Sequence, residues 1–259
     1  MKRLGVLLLL PLLCPVSCNH HNPTTTVELI DMSLSIGPRA ESATLDAVRH
    51  QIQRMGRGDR LILIPVAGDA ENEAGGRILR LDAPTMRQAY DADLRKFRES
   101  AKQQFATWAA AHEGAERSRT DLLGSLDAAR QALASSPKGS ALRLVVVSDF
   151  IEDDGQFNFA SNPALASTSR ARALASRLRT AHGFSLRGVP VCLGRLESVD
   201  FTLLSPKRQK AIDAFWETYL ADGSHTPEIV IDGLGMLQGA DEACLNPSGT
   251  KNRIRGSTP

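Results

Sequence analysis

The sequence predicts an α/β fold built on a mostly parallel central sheet. Short apolar runs alternate with amphipathic helical patterns along the 259 residues, which is typical of a parallel sheet that carries helices on both faces. The runs at 61–66 and 142–148 are dominated by leucine, isoleucine and valine, as expected of strands buried on both sides. A chain of this length can bury one full α/β core. The fold class is therefore α/β, with a Rossmann-like, doubly wound, mostly parallel sheet flanked by helices.

Hydrophobic spacing places the individual elements. In the segment 42–55, Leu45, Val48 and Ile52 recur at three- and four-residue intervals, which puts them on one helical face. The run at 77–81 is short and flanked by charges, so it is expected at a sheet edge. The long pattern at 84–112 is interpreted as a helix packed on the sheet rather than one that binds a partner. The predicted strands are 26–31, 61–66, 77–81, 142–148, 189–193 and 228–231, and the predicted helices are 42–55, 84–112, 121–134, 169–181 and 206–220.

The N-terminus has the pattern of an export signal. Basic residues at 2–3 precede an apolar stretch at 4–13 that is too short to span a bilayer as a helix. A small residue before Cys18 resembles a bacterial lipoprotein signal, although Pro15 stands where such signals usually have leucine. Lipidation at Cys18 is therefore expected, with plain signal cleavage nearby as the alternative. Membrane contact would then be through a lipid anchor only.

These features define the expected domains and location. A signal peptide at 1–18 and a linker at 19–25 precede a main domain at 26–240, and a polar tail follows at 241–259. The mature protein is expected to be exported, either periplasmic or anchored to the outer membrane as a lipoprotein. In an oxidising compartment, Cys192 and Cys244 are candidates for a disulfide, and two unpaired thiols are the alternative.

Composition excludes one broad class of function. The net charge is only +2 and aromatic residues make up 5% of the chain. Nucleic-acid binders usually carry a strong basic excess, and single-strand binders use aromatic side chains for stacking. No nucleic-acid partner is therefore expected.

Oxygen-bearing side chains follow two of the predicted strands. Asp31, Ser33 and Ser35 alternate directly after the first strand, and Asp149 ends the strand at 142–148. Thr120 precedes the helix at 121–134. In open α/β sheets, ligands gather at the carboxyl ends of strands where the strand order reverses. Hard oxygen ligands suit a small divalent cation such as Mg²⁺ or Mn²⁺, so these five residues predict one cation site.

This set of residues, in this order, resembles the metal-ion-dependent adhesion site of von Willebrand factor A (vWA) domains. The resemblance covers about residues 24–231. It implies a vWA fold and a binding role without catalytic residues, in which a free coordination position on the metal captures an exposed Asp or Glu of a protein partner. One departure is Phe150, because the family often has glycine after the aspartate; Phe150 restricts the loop and is expected to alter access to the ion.

Each part of the motif also has a simpler interpretation. Asp-x-Ser-x-Ser suits turns and helix caps, Thr120 suits a helix N-cap, and Asp149 suits a turn at a strand end. The correct order at both strands favours the metal site. The acidic run at 152–154 is interpreted as a solvated turn in preference to a second cation site, because it lacks the ligand spacing of a calcium loop.

Two alternatives to a binding module remain. One is a Mg²⁺-dependent hydrolase on a Rossmann-like sheet, using Asp31 or Ser33; it lacks a clear base and a phosphate-binding glycine loop. The other is a structural envelope protein with a vestigial metal site, whose contacts are made by the helix at 84–112. The binding module is the leading hypothesis, and no enzymatic activity is expected.

Overall fold

Six strands form one central sheet in the order β3-β2-β1-β4-β5-β6. The computed structural model describes residues 22–66, 68, 78–86, 90–112, 119–155, 157–186, 188–222, 226–231 and 233–238. All neighbouring strands are parallel except β2 and β3, which are antiparallel. The predicted α/β class and the edge position of the third strand are therefore confirmed. The strands are β1 (Thr24–Asp31), β2 (Arg60–Val66), β3 (Leu79–Asp82), β4 (Ala141–Ser148), β5 (Val191–Arg195) and β6 (Ile229–Val230).

Seven α-helices of the described residues cover the sheet. One face carries the core of α3, α4 and α6, and the other carries two smaller cores formed with α1, α2 and α7. Polar side chains cap the N-termini of several helices. For example, the Asp121 carboxylate caps α3 by accepting a hydrogen bond from the N–H of Gly124 at 2.7 Å. The helices are α1 (Pro38–Arg54), α2 (Tyr90–Ala111), α3 (Leu122–Ala134), α4 (Thr168–Ala181), α5 (Val199–Leu203), α6 (Pro206–Tyr219) and α7 (Gly233–Gln238).

Two of the predicted elements begin later than expected, each for a local reason. Helix α2 begins later than predicted, because the carbonyl of Pro84 accepts from Gly58 and the N–H of Ala83 donates to Asp59. Strand β5 also begins later, because the N–H of Val189 closes a turn onto Leu186. The short helices α5 and α7 were not predicted. Helix α2 does pack on the sheet as expected, through the buried cluster that includes Phe105 and Trp108.

The predicted signal peptide, Cys18 and the tail at 241–259 lie outside the described residues. Cys192 is buried in β5 and is disulfide-bonded. Since Cys244 also lies outside the described residues, its pairing with Cys192 stays a prediction. Within the described part of the chain, no helix is both long and apolar enough to cross a membrane.

Candidate metal site

The strand order of the sheet reverses between β1 and β4. The chain runs from β1 to β2 on one side and later returns to β4 on the other side of β1. In open α/β sheets this switch point opens a crevice at the carboxyl ends of the strands. Asp31 is the last residue of β1, and Asp149 directly follows β4. The two aspartates therefore lie at the edge where a ligand crevice is expected.

A chain of hydrogen bonds joins four of the five predicted residues. The hydroxyl oxygens of Ser33 and Ser35 are 2.8 Å apart, and the Ser35 hydroxyl donates to Asp149 Oδ2 at 2.9 Å. Because the Ser35 proton points to Asp149, the Ser33 hydroxyl is the donor between the two serines. The N–H of Ser33 donates to Asp31 Oδ1 at 2.9 Å. Asp31, Ser33, Ser35 and Asp149 thus form one continuous polar cluster.

Two further serines support the carboxylates, and the sequence reasoning missed both. The Ser148 hydroxyl donates to Asp31 Oδ2 at 2.6 Å and accepts the N–H of Phe150 at 2.9 Å. The side chain of Ser198, the N-cap of α5, lies close enough to Asp149 to lower the pKa of that carboxyl. The parallel register pairs Ile30 with Val147, so Asp31 and Ser148 are the next residues along. That register, had it been known, would have indicated Ser148.

The electrostatics of the cluster favour a bound cation. Asp31 and Asp149 are 1% and 0% exposed. Burial, and then the charge of Asp149, raise the pKa of Asp31 to about 7. Burial also raises the pKa of Asp149, with a further contribution from the charge of Asp200. Hydrogen bonds from Ile151 N–H and the Ser35 hydroxyl, together with the nearby Ser198 side chain, oppose this rise. Two buried carboxyl groups that both have raised pKa values are stabilised by a cation placed between them.

Thr120 lies at the same end of the sheet but outside this hydrogen-bonded chain. It is 5% exposed, and its backbone pairs with Asp153 in the loop after β4. The preceding residue, Arg119, accepts the N–H of Gly68 just beyond β2. None of the hydrogen bonds between described residues links its hydroxyl to the other four, so its role as a ligand stays a prediction.

Phe150 has a backbone conformation that usually belongs to glycine. Its φ of 64° is the only positive value at a non-glycine residue in the described chain. The side chain is fully buried in the core near Trp216, with ring centroids 6.3 Å apart. Its carbonyl accepts the indole N–H of Trp216 at 2.9 Å. Phe150 therefore has the backbone conformation of a glycine while its ring packs in the interior.

A broad cleft adjoins the cluster on the β5 side. Its volume is about 1140 Å³, and Ser35 and Ser198 both contribute to its lining. Three apolar side chains in the lining are strongly exposed, namely Val199 (70%), Leu203 (78%) and Ile231 (82%). Exposed apolar groups beside a polar site are typical of interaction surfaces.

The acidic run after β4 differs from its predicted solvated state. Glu152 is 0% exposed, and its Oε2 accepts the N–H groups of Leu122 and Leu123 at the start of α3. Asp153 and Asp154 are half-buried. The solvated-turn interpretation is therefore wrong for Glu152, because the loop folds against the helix N-terminus and encloses this side chain.

The sequence matches no protein-family model, and no curated protein matches it significantly. Solved structures that superpose on this chain include the manganese-loaded TRAP protein of Plasmodium vivax, at 12% identity over 87% of this chain and 73% of that one, with a TM-score of 0.43. The pilus adhesin SpaC of Lactobacillus rhamnosus GG gives 12% identity over 90% and 30% of the two chains, with a TM-score of 0.48.

A third superposition is with proximal thread matrix protein 1 of the mussel byssus. It gives 11% identity over 86% of this chain and 47% of that one, with a TM-score of 0.44. This chain thus spans less than half the length of two of these three proteins. At such scores the likenesses do not bear on function.

Proposed function

We propose that this chain is an exported binding module of the vWA type, which captures an acidic side chain of a partner protein through one divalent cation. The observation that carries the proposal is the cluster of two buried carboxyl groups and two serine hydroxyls at the β1–β4 switch point. All its donor atoms are oxygens, as Mg²⁺ and Mn²⁺ prefer. Asp31, Ser33, Ser35 and Asp149 would hold the ion, with Thr120 as the fifth residue of the family pattern.

The residue types suit capture of a carboxylate. A divalent ion supplies a positive centre with a coordination position for an external oxygen. Ser33 and Ser35 are neutral, so they leave much of that charge uncompensated. Asp31 already accepts hydrogen bonds from Ser33 N–H and the Ser148 hydroxyl, and Asp149 accepts from Ile151 N–H and Ser35. These bonds disperse the negative charge of both aspartates, which keeps the ion attractive to an acidic partner.

The lining of the neighbouring cleft indicates which kinds of residues flank the acidic residue in the partner. Leu34, between the two serines, is 67% exposed, and Val199 and Leu203 extend the apolar surface into the cleft. Arg39 also lines the cleft and is exposed. A partner segment with Asp or Glu beside apolar residues fits this combination of charge and apolar surface.

The hydrolase alternative has less support. A hydrolase that activates Ser33 needs a base in hydrogen-bond reach. The imidazole of His112 hydrogen-bonds the Trp108 carbonyl in α2, and that of His182 contacts the Tyr219 hydroxyl. Both histidines are therefore engaged away from the cluster. Turnover of phosphoesters or peptides with Mg²⁺ or Mn²⁺, abolished by Ser33→Ala, would overturn the binding proposal.

The structural alternative assigned the contacts to the long helix α2. The apolar side chains of that helix, including Leu94, Phe105 and Trp108, are buried in the domain core. Its apolar face is thus used within the chain. Failure of Mg²⁺ and Mn²⁺ to release heat on titration, or to raise the melting temperature at millimolar concentration, would favour this alternative.

The test of the proposal uses purified protein stripped with EDTA. Titration calorimetry with Mn²⁺ should detect one site that is weakened by Ser33→Ala and unaffected by Ser169→Ala, a matched change on the exposed part of α4. Two short peptides then serve as probes, identical except for Glu or Gln between apolar residues. The Glu peptide should bind only with Mn²⁺ present, and EDTA should release it. Equal binding of both peptides, or binding that survives EDTA, would refute metal-bridged capture.

A further inference from the structure

The cleft beside the metal cluster opens between the starts of α1 and α5. A backbone bridge pairs Ile36 with Ser198. Helix α1 begins two residues after Ile36, and α5 begins directly after Ser198. Residues at the start of both helices line the cleft, together with Ser35 of the metal cluster. The bridge therefore fixes two walls of the cleft next to the place where the ion would bind.

One cation in the lining of the cleft has no ion pair among the described residues. The two arginines of the lining are Arg39, on α1, and Arg195, at the end of β5. Arg195 is paired with Asp213, and its Cζ lies 4.1 Å from the centroid of the Phe201 ring. Arg39 is exposed and forms no hydrogen bond or ion pair with the described part of the chain. The charge of Arg39 can therefore bind a ligand in the cleft.

The two walls of the cleft differ in charge. Arg39 lies in the first turn of α1, and the partial positive charge of a helix N-terminus adds to its own. A Cβ added to Gly37, the residue before α1, would meet nothing within 4 Å, so the space beside this turn is open. Glu197, the acidic residue of the lining, belongs to the opposite wall. An acidic group in the cleft is therefore favoured at the α1 wall.

The size of the cleft suits an extended chain segment. Its volume of about 1140 Å³ exceeds the roughly 300–1,000 Å³ that is typical of pockets for small ligands. Arg39 follows Ser35 by four residues, so their Cα atoms are at most about 14 Å apart. An extended peptide covers about 3.3 Å per residue, and this distance therefore corresponds to about four residues or fewer. On the α5 wall, the exposed Val199 and Leu203 provide apolar surface.

We propose that the cleft binds an extended segment of the partner protein that carries two acidic residues, two to four positions apart, with an apolar residue between them. This inference rests on the proposed function, because the first acidic residue is the one that binds the metal ion. The second acidic residue pairs with Arg39, and the apolar residue contacts Val199 and Leu203. The ion captures one carboxylate, while the walls of the cleft discriminate among acidic segments.

Three peptides test the contribution of Arg39. Each contains a Glu for the ion and a leucine directly after it, and a second position two, three or four residues after the first Glu is Glu, Gln or Lys. In titration calorimetry with Mn²⁺ at low ionic strength, wild type should bind the peptide with the second Glu about three- to fivefold more tightly than the Gln peptide at one of these spacings, as expected of an exposed ion pair. Arg39→Gln should reduce this preference to less than about 1.5-fold, and Arg39→Glu should prefer the Lys peptide.

The matched control is Arg170→Gln, which removes the same charge from the exposed first turn of α4. Helix α4 contributes no residue to the lining of the cleft, so this variant should keep the wild-type preference. An equal loss of preference in Arg170→Gln would show a general charge effect and overturn the proposal.

The apolar contact is tested with Leu203→Ser. Helix α5 buries none of its residues, so this change should leave the fold intact. It should weaken binding of the leucine peptide by about threefold and leave a peptide with serine in place of leucine unaffected, because only leucine loses apolar contact area. An unchanged ratio between the two peptides would overturn the apolar part of the proposal.

The outcomes separate this inference from the proposed function. If a peptide with one Glu binds only in Mn²⁺ and a second Glu adds nothing at any spacing, this inference alone is wrong. If no peptide binds in Mn²⁺, the proposed function fails and this inference fails with it. Sedimentation of the full chain provides a further test: self-association in Mn²⁺ that Arg39→Gln abolishes would assign the cleft to a second copy of this chain and overturn the peptide proposal.

Salt provides the same test on wild type if Arg39→Gln does not fold. The preference for the second Glu should disappear at about 1 M salt, where the screening length is about 3 Å. A preference that persists at that salt concentration would exclude an exposed ion pair and overturn the role of Arg39.

Discussion

Replacement of Asp31 by asparagine should stabilise the metal-free protein at neutral pH while abolishing its response to Mg²⁺. The wild-type carboxyl is fully buried beside Asp149, and its pKa is raised from 3.8 to about 7. At about 1.4 kcal/mol per pKa unit, ionising this group in the folded protein costs roughly 4 kcal/mol. Asparagine removes that cost. It also weakens the hydrogen bond from the Ser148 hydroxyl, which lowers the folding stability by about 1–2 kcal/mol. The net gain near pH 8 is therefore about 2–3 kcal/mol.

The dependence on pH distinguishes this effect from a simple change in packing. Because the folded pKa lies above the unfolded one, the unfolded chain loses its proton first as pH rises from about 4 to about 7. Wild-type stability therefore falls across this window and levels off above it. The advantage of Asp31→Asn should grow by about 3 kcal/mol between about pH 4.5 and about pH 8.

Urea unfolding in EDTA at the two pH values measures this difference. The control is Asp46→Asn, whose exposed carboxylate pairs with Arg49 on α1; it should alter stability by less than about 1 kcal/mol at either pH. Saturating Mg²⁺, at about 100 times its Kd, should stabilise the wild type by about 2.7 kcal/mol and leave Asp31→Asn unchanged. If Asp31→Asn and wild type differ equally at both pH values, the argument from buried charge is wrong.

Three other changes have distinct expected results. Ser35→Ala should weaken Mg²⁺ binding about tenfold by calorimetry and lower the urea stability by less than about 3 kcal/mol, since it removes one neutral ligand and two hydrogen bonds; unchanged Mg²⁺ affinity would exclude this hydroxyl as a ligand. Phe150→Gly should lower the free energy of unfolding by about 2–3 kcal/mol, because lost core packing outweighs relief of the left-handed backbone; a net gain would mean that backbone strain dominates. Cys244→Ala should expose one thiol to Ellman's reagent in denaturant and cost about 4 kcal/mol, as for a loop of about fifty residues; an absent new thiol would assign Cys192 another partner.

The sequence predicts the sheet well because its strands are apolar runs with few alternatives. It fails at boundaries decided by single backbone bonds, such as the turn from Val189 to Leu186 that delays β5. Helix α5 buries none of its residues, so it has no hydrophobic period to detect. Its start depends on the cap at Ser198, which accepts the N–H of Phe201 at 3.0 Å.

The sequence predicts some residues of the candidate site but not others. Asp31, Ser33 and Ser35 follow from a local motif, and Asp149 follows from its position at a strand end. Ser148 and Ser198 could not be found, because their role depends on the register of β4 against β1 and on where α5 begins. The burial of Glu152 could not be predicted either. Its neighbours in the sequence indicate a solvent-exposed turn, whereas the N-terminus of α3, about thirty residues earlier in the chain, binds and buries the side chain.

The hydrogen bond from the Trp216 indole to the Phe150 carbonyl makes Trp216 an intrinsic fluorescence probe of the loop after β4. The chain has two tryptophans, and Trp108 lies in the separate core of α2. A Trp108→Phe protein would therefore emit only from an indole that is bonded to the residue next to Asp149. Any shift of that loop on ion uptake changes the polarity and hydrogen bonding at the indole, so the emission maximum should follow occupancy without an added dye.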